Sequence, residues 1–151
     1  MPRISFIDTE IEYIENKKYR KSKNVKDIGC INDSEGKYHS HSVSGFFEFI
    51  KETEYLCGHN IIDFDLPLIE NFSGKEFSHQ YKLIDTLYLS PLLFPQKPYH
   101  KLVKDDKLDP ENLNNPLNDS IKARELLLDE INAFHALDES LKQIFFHLLS
   151  E

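Results

Sequence analysis

Ile4-Ser5-Phe6-Ile7-Asp8-Thr9-Glu10 is the stretch on which the reading of the whole chain turns. A short apolar run ending in acids predicts a buried β-strand. Residues two apart on a strand share a face, so Asp8 and Glu10 aim their carboxylates to one side. Two acids around a single Thr are also common on solvated surfaces. Their place directly after Phe6-Ile7, on the strand expected to be central, sets these two apart.

Working outward, residues 16–23 form a basic loop. Lys17, Lys18, Arg20, Lys21, Lys23 and Lys26 put six positive charges within ten residues. Such a run is either solvated or in contact with a phosphate backbone, since it leaves the strand beside the acids. Residues 25–31 read as a second strand and Asn32-Asp33-Ser34-Glu35-Gly36 as a turn. Residues 37–43 then run back as a third strand, which makes an antiparallel meander. A short helix over 45–51 and a fourth strand over 54–57 follow.

Gly58-His59-Asn60-Ile61-Ile62-Asp63-Phe64-Asp65 leaves that strand, re-enters the core through its apolar pair and presents Asp65 at a short helix over 65–72. Asp65 is then either a site carboxylate or an acid favoured by the helix dipole. His59 is expected to brace the turn and Asn60 to hydrogen-bond nearby backbone. Residues 82–84 predict a fifth strand, and Asp85 or Thr86 caps a helix toward Leu93. Asp85 is read as that cap rather than as a metal ligand. Pro95, Pro98 and Pro110 mark a long irregular crossover from about residue 95 to 116.

Asn115 is a good N-cap and Pro116 suits a first helical position. In the helix they open, Asn118, Lys122, Glu125 and Asp129 share a narrow polar edge. Leu117, Ile121, Ala123, Leu126, Leu127, Leu128 and Phe134 fill much of the rest, which predicts cover on two sides. A last helix over 139–149, with Leu141, Ile144, Phe145, Leu148 and Leu149, is expected to supply one of those covers. Asp119 lies in the first turn, where dipole stabilisation alone would account for it, and the small Ala123 lets the helix approach the sheet.

The 151 residues suffice for one domain spanning 1–151, and 40% apolar with 12% aromatic content is globular. The chain stops inside an apolar helix, which points to the N-terminal part of a longer protein. No run nears the roughly 20 apolar residues needed to cross a bilayer, and no secretory signal opens the chain. Cys30 and Cys57 sit in separate apolar runs and are expected as reduced core thiols in a cytoplasmic protein. A net charge of −8 runs against phosphate binding unless bound cations cancel part of it.

Taken in order, Phe6-Ile7-Asp8-Thr9-Glu10, Gly58 through Asp65, and Asn118-Asp119-Ser120-Ile121-Lys122-Ala123 resemble the three motifs of the DEDD 3′–5′ exonucleases. The run from Tyr99-His100-Lys101-Leu102-Val103-Lys104 onward is similar to exonuclease modules attached to bacterial ATP-dependent DNA helicases. The resemblance implies an α/β, RNase H-like fold: a mixed sheet, three antiparallel strands plus parallel ones, flanked by helices. It implies that Asp8, Glu10, Asp65 and Asp119 hold two divalent cations, Mg²⁺ or Mn²⁺, at a phosphodiester. Hard oxygen donors suit such ions, and crowded carboxylates need them for neutralisation. The implied substrate is a single-stranded 3′ end, DNA ahead of RNA, contacted by Thr9, Asn60, Lys101 and Lys104. A helicase domain in the same or an associated chain is the implied partner. Members of the family carry a general base, a His five residues or a Tyr four residues before the last Asp. Here those positions hold Asn114 and Asn115, so His100 is the substitute, against a phosphate or solvent contact. The rival reading is an exonuclease-like module that binds without turnover.

Overall fold

The structure, a computed structural model, describes residues 3–16, 20–102 and 115–150. Its centre is a five-stranded sheet of β1 (Ile4–Asn16), β2 (Arg20–Asn32), β3 (Lys37–Ser40), β4 (Tyr55–Gly58) and β5 (Lys82–Asp85). The spatial order is β3-β2-β1-β4-β5. β1, β2 and β3 pair antiparallel, and β4 and β5 continue on the other side of β1 in parallel. This is the expected α/β mixed sheet, three antiparallel strands plus parallel ones, an order consistent with an RNase H-like fold, with Ile4–Asn16 as its middle strand.

Helices cover both faces because β1 alternates two apolar sides. Ile7 packs with Ile28, Phe46, Leu56, Ile61 and Ile69, beneath α1 (Val43–Phe49) and α2 (Leu66–Ser73). Phe6 packs with Ile31, Cys57 and Leu127 on the opposite face, beneath α4 (Pro116–His135). Between β5 and α4 comes α3 (Thr86–Leu93), and α5 (Glu139–Leu149) follows α4. Both cysteines are buried free thiols. No helix among the described residues is long and apolar enough to cross a membrane.

Gly29 in β2 sets how close α4 comes. A Cβ there would stand 2.1 Å from Pro116 C and Leu117 N, so only a glycine admits the helix start against the sheet. Asn115 caps that start, accepting from the Leu117 N–H at 2.9 Å through Oδ1.

Three expectations need correction. Residues 20–23 are strand rather than loop: β1 and β2 stay paired from Ser5↔Asn32 out to Asn16↔Arg20, bulging between Glu10 and Ile11. The third strand ends at Ser40, because Ser42 Oγ accepts from the Gly45 N–H at 3.2 Å and starts α1. Finally, α5 does not bury a face on α4. None of its residues is buried, α3 supplies the second side of α4, and Leu128 is 55% exposed.

Candidate functional site

β1 outruns β4. Its parallel pairing spans only Ile4–Phe6 against Tyr55–Cys57, and at Gly58 the neighbouring strand departs. A Cβ on Gly58 would lie 2.8 Å from the Ile7 carbonyl, so the turn begins tight against β1. The donors and acceptors that β4 leaves behind need other partners.

Asp65 takes one of them. Its Oδ1 accepts from the Thr9 N–H at 2.8 Å and from the Thr9 hydroxyl at 2.5 Å. The Asp65 carboxylate is therefore fixed between Asp8 and Glu10 in sequence, at 2% exposure. Burial pushes its pKa well above the ordinary carboxyl range. The two Thr9 hydrogen bonds pull it down, and the charge of Asp85 adds to the rise. A buried acid held this way favours a neutralising partner.

Asp85 builds the turn that delivers Asp65. Its carboxylate accepts from three backbone N–H groups: Asn60 at 2.9 Å, Ile62 at 3.1 Å and Leu87 at 2.9 Å. It is the α3 cap expected from the sequence, and it also gathers the Asn60–Ile62 backbone, a role the sequence did not disclose. Asn60 adopts φ 67, a left-handed conformation that Asn tolerates better than most residues. The expectation for Asn60 is corrected: its backbone N–H makes the bond, while among the described residues its side chain makes none. His59 does brace the turn, through Nδ1 to Thr86 Oγ1 at 2.9 Å, and Thr86 Oγ1 donates to the Gly58 carbonyl at 3.3 Å. Burial lowers the His59 pKa, against the opposing Asp85 charge and His100 backbone.

Asp8 shares the face of Phe6, and its register partner is Gly29, where α4 lands. The first turn of α4, carrying the buried Asp119, is thereby brought onto the sheet beside Asp8. Asp65, bonded to Thr9, and the start of α4, packed on Gly29, thus both reach the stretch of sheet that carries Asp8. Glu10 is turned to Lys26, with Nζ to Oε1 at 3.3 Å. As they stand, no three His, Cys, Asp or Glu side chains among the described residues form a group that could hold a metal ion. The donor chemistry fits hard cations, whereas the arrangement is not closed around one.

His100 lies beyond α3 and reaches back to it, its Nδ1 2.8 Å from Ser90 Oγ. With Lys97, Tyr99, Lys101 and Lys122 it lines a cleft of about 490 Å³. The α4 wall of that cleft begins at Lys122, one turn beyond Asp119. Glu125 and Asp129 also line it, so its charge is mixed. Lys104 and Asn114 lie outside the described residues. Asn115, at the position of the family's Tyr base, is occupied as the α4 cap.

No protein-family description and no curated protein matches the chain. Among solved structures it is similar to the family B DNA polymerase from the hyperthermophilic archaeon Pyrobaculum calidifontis. The TM-score is 0.46 and the identity 12%, over 88% of this chain but only 23% of the polymerase.

Proposed function

We propose that the protein is a metal-dependent 3′–5′ exonuclease acting on single-stranded nucleic acid. The observation that carries this reading is the Asp65 carboxylate fixed on Thr9, the residue between Asp8 and Glu10, with the first turn of α4, which carries Asp119, starting against Gly29 opposite Asp8. Asp8, Glu10, Asp65 and Asp119 would hold Mg²⁺ or Mn²⁺. When bound, such ions activate a water and stabilise charge on the leaving 3′ oxygen. Cation uptake requires Glu10 to leave Lys26 and the acids to draw together. Thr9 meanwhile keeps Asp65 oriented. Lys97, Lys101 and Lys122 would meet phosphates along the cleft, and Tyr99, 80% exposed, offers a ring to a base. His100 would supply a proton acceptor from the same cleft.

A second reading, a module that binds nucleic acid for a helicase or polymerase without cutting it, is favoured by two observations. The acids do not form a metal-holding group as they stand, and Asn115 is committed to capping α4.

A 5′-labelled single-stranded DNA oligonucleotide and its RNA counterpart, incubated with Mg²⁺ or Mn²⁺, separate the two. Stepwise shortening that Asp8→Ala and chelation both abolish is the expected result. Retained binding without shortening under either metal assigns the module instead. A parallel His100→Ala variant with an unchanged rate would remove His100 from the mechanism.

A further inference from the structure

At the opposite end of α4 from Asp119, the helices α3, α4 and α5 enclose a pocket of about 320 Å³. Its walls are apolar: Leu89, Leu92, Leu93, Leu127, Phe134 and Phe145. It opens to solvent past Ile131 and Leu149, both exposed. The size lies at the small end of ligand sites, and the apolar lining is typical of them.

One lining residue does not belong in such a wall. Glu130 is 1% exposed, and among the described residues neither of its carboxyl oxygens has a hydrogen-bond partner. Buried polar side chains are nearly always partnered, because losing water without a replacement is unfavourable. A leucine here would extend the wall, so the acid is a cost to the empty fold.

The surroundings decide which ligand the carboxyl would accept. Burial first, then the charges of Asp85 and Asp129, push the Glu130 pKa up to about 8, while Lys97 opposes them. Two acids against one lysine make the locality negative, and none of the three bonds to Glu130. A positive group entering the pocket would meet favourable charge and, behind the apolar lining, the two unpartnered acceptor oxygens.

We infer that this pocket binds a small apolar molecule carrying a protonated amine, with the alkyl or aryl body among the leucines and Glu130 accepting from the amine. The inference stands apart from the nuclease reading, since it uses none of the residues Asp8, Glu10, Asp65 or Asp119.

Titration calorimetry of the full chain with n-heptylammonium, n-heptanol and heptanoate tests it. The ammonium is expected to bind at least tenfold more tightly than the alcohol, and heptanoate not at all. Glu130→Gln should lose that tenfold preference while still binding heptanol. In the unaltered protein, the Glu130 carboxyl carbon resonance should move on adding heptylammonium, a readout that needs no variant. Equal affinity for alcohol and ammonium with an unmoved Glu130 resonance would leave only an apolar hole and overturn the inference. So would a concentration-dependent dimer, dissolved by Leu149→Glu, whose monomer takes up no amine; that outcome gives the pocket to a second copy of the chain.

Discussion

Asp85 and Glu130 are two carboxyl groups buried within each other's electrostatic reach, and the fold treats them oppositely. Asp85 accepts three backbone N–H bonds and fixes the turn that delivers Asp65. Glu130 accepts none and faces an apolar pocket. Burial alone therefore says little about what an acid does; the partners do. A fully bonded acid is architecture, whereas the unbonded one is the group to which the inferred amine would bind.

The contrast is sharpest in the response to removal. Asp85→Ala strands three N–H groups at the turn and should cost about 4 kcal/mol, read by urea unfolding. Nuclease activity, if present, should fall with it, because Asp65 loses its support. A loss below about 1 kcal/mol would remove Asp85 from this role.

Glu130→Gln should act the other way. The folded-state pKa of Glu130 is raised from 4.5 to about 8, so its contribution to stability is fully present below about pH 4.5 and is lost as pH rises through about 8. The amide carries no such penalty. At pH 4 the two proteins should unfold alike; at pH 8 the Gln protein should be more stable, by something on the order of 3 kcal/mol. Parallel stability–pH curves would show that Glu130 is not held protonated.

Gly29→Ala tests whether the two ends of α4 are joined. The added methyl meets Pro116 and Leu117 backbone and should cost about 2–3 kcal/mol. Moving the helix start should disturb Asp119 before it disturbs the pocket around Glu130, a difference visible in amide chemical shifts. The smallest effect belongs to Lys26→Ala. Its pair with Glu10 is surface-exposed, so stability should change by less than about 0.5 kcal/mol. Cation affinity should instead rise, since Glu10 is released. An unchanged affinity would take Glu10 out of the donor set.

Much of the architecture was legible because local signals agreed with the global answer. Asn115-Pro116, Asp85-Thr86 and the run Phe6-Ile7 each state their element by capping chemistry or apolar pattern, and each stands where expected. What escaped was non-local. The basic run 20–23 reads as loop by composition, yet pairing with the far half of β1 makes it strand. Asp85 shows its cap in the sequence but not its reach back to Asn60, 25 residues earlier. Glu130, beside Asp129, carries no local mark of its burial. Its spacing from Asp119, Ala123 and Leu127 repeats a buried stripe, and that periodicity is the signal that could have found it.

The bond from Asp85 to the Asn60 and Ile62 amides also has a consequence for how the molecule is made. A chain emerging from the ribosome presents residues 58–65 well before residue 85 exists, so the turn has no acceptor to shape it. Only when β5 docks in parallel on β4 does that carboxylate arrive, and such non-local closure is a slow event in folding. The turn before Asp65 therefore gains its Asp85 support late, after the antiparallel ribbon of β1 and β2 has had time to form, and a nascent chain shorter than 85 residues lacks that support.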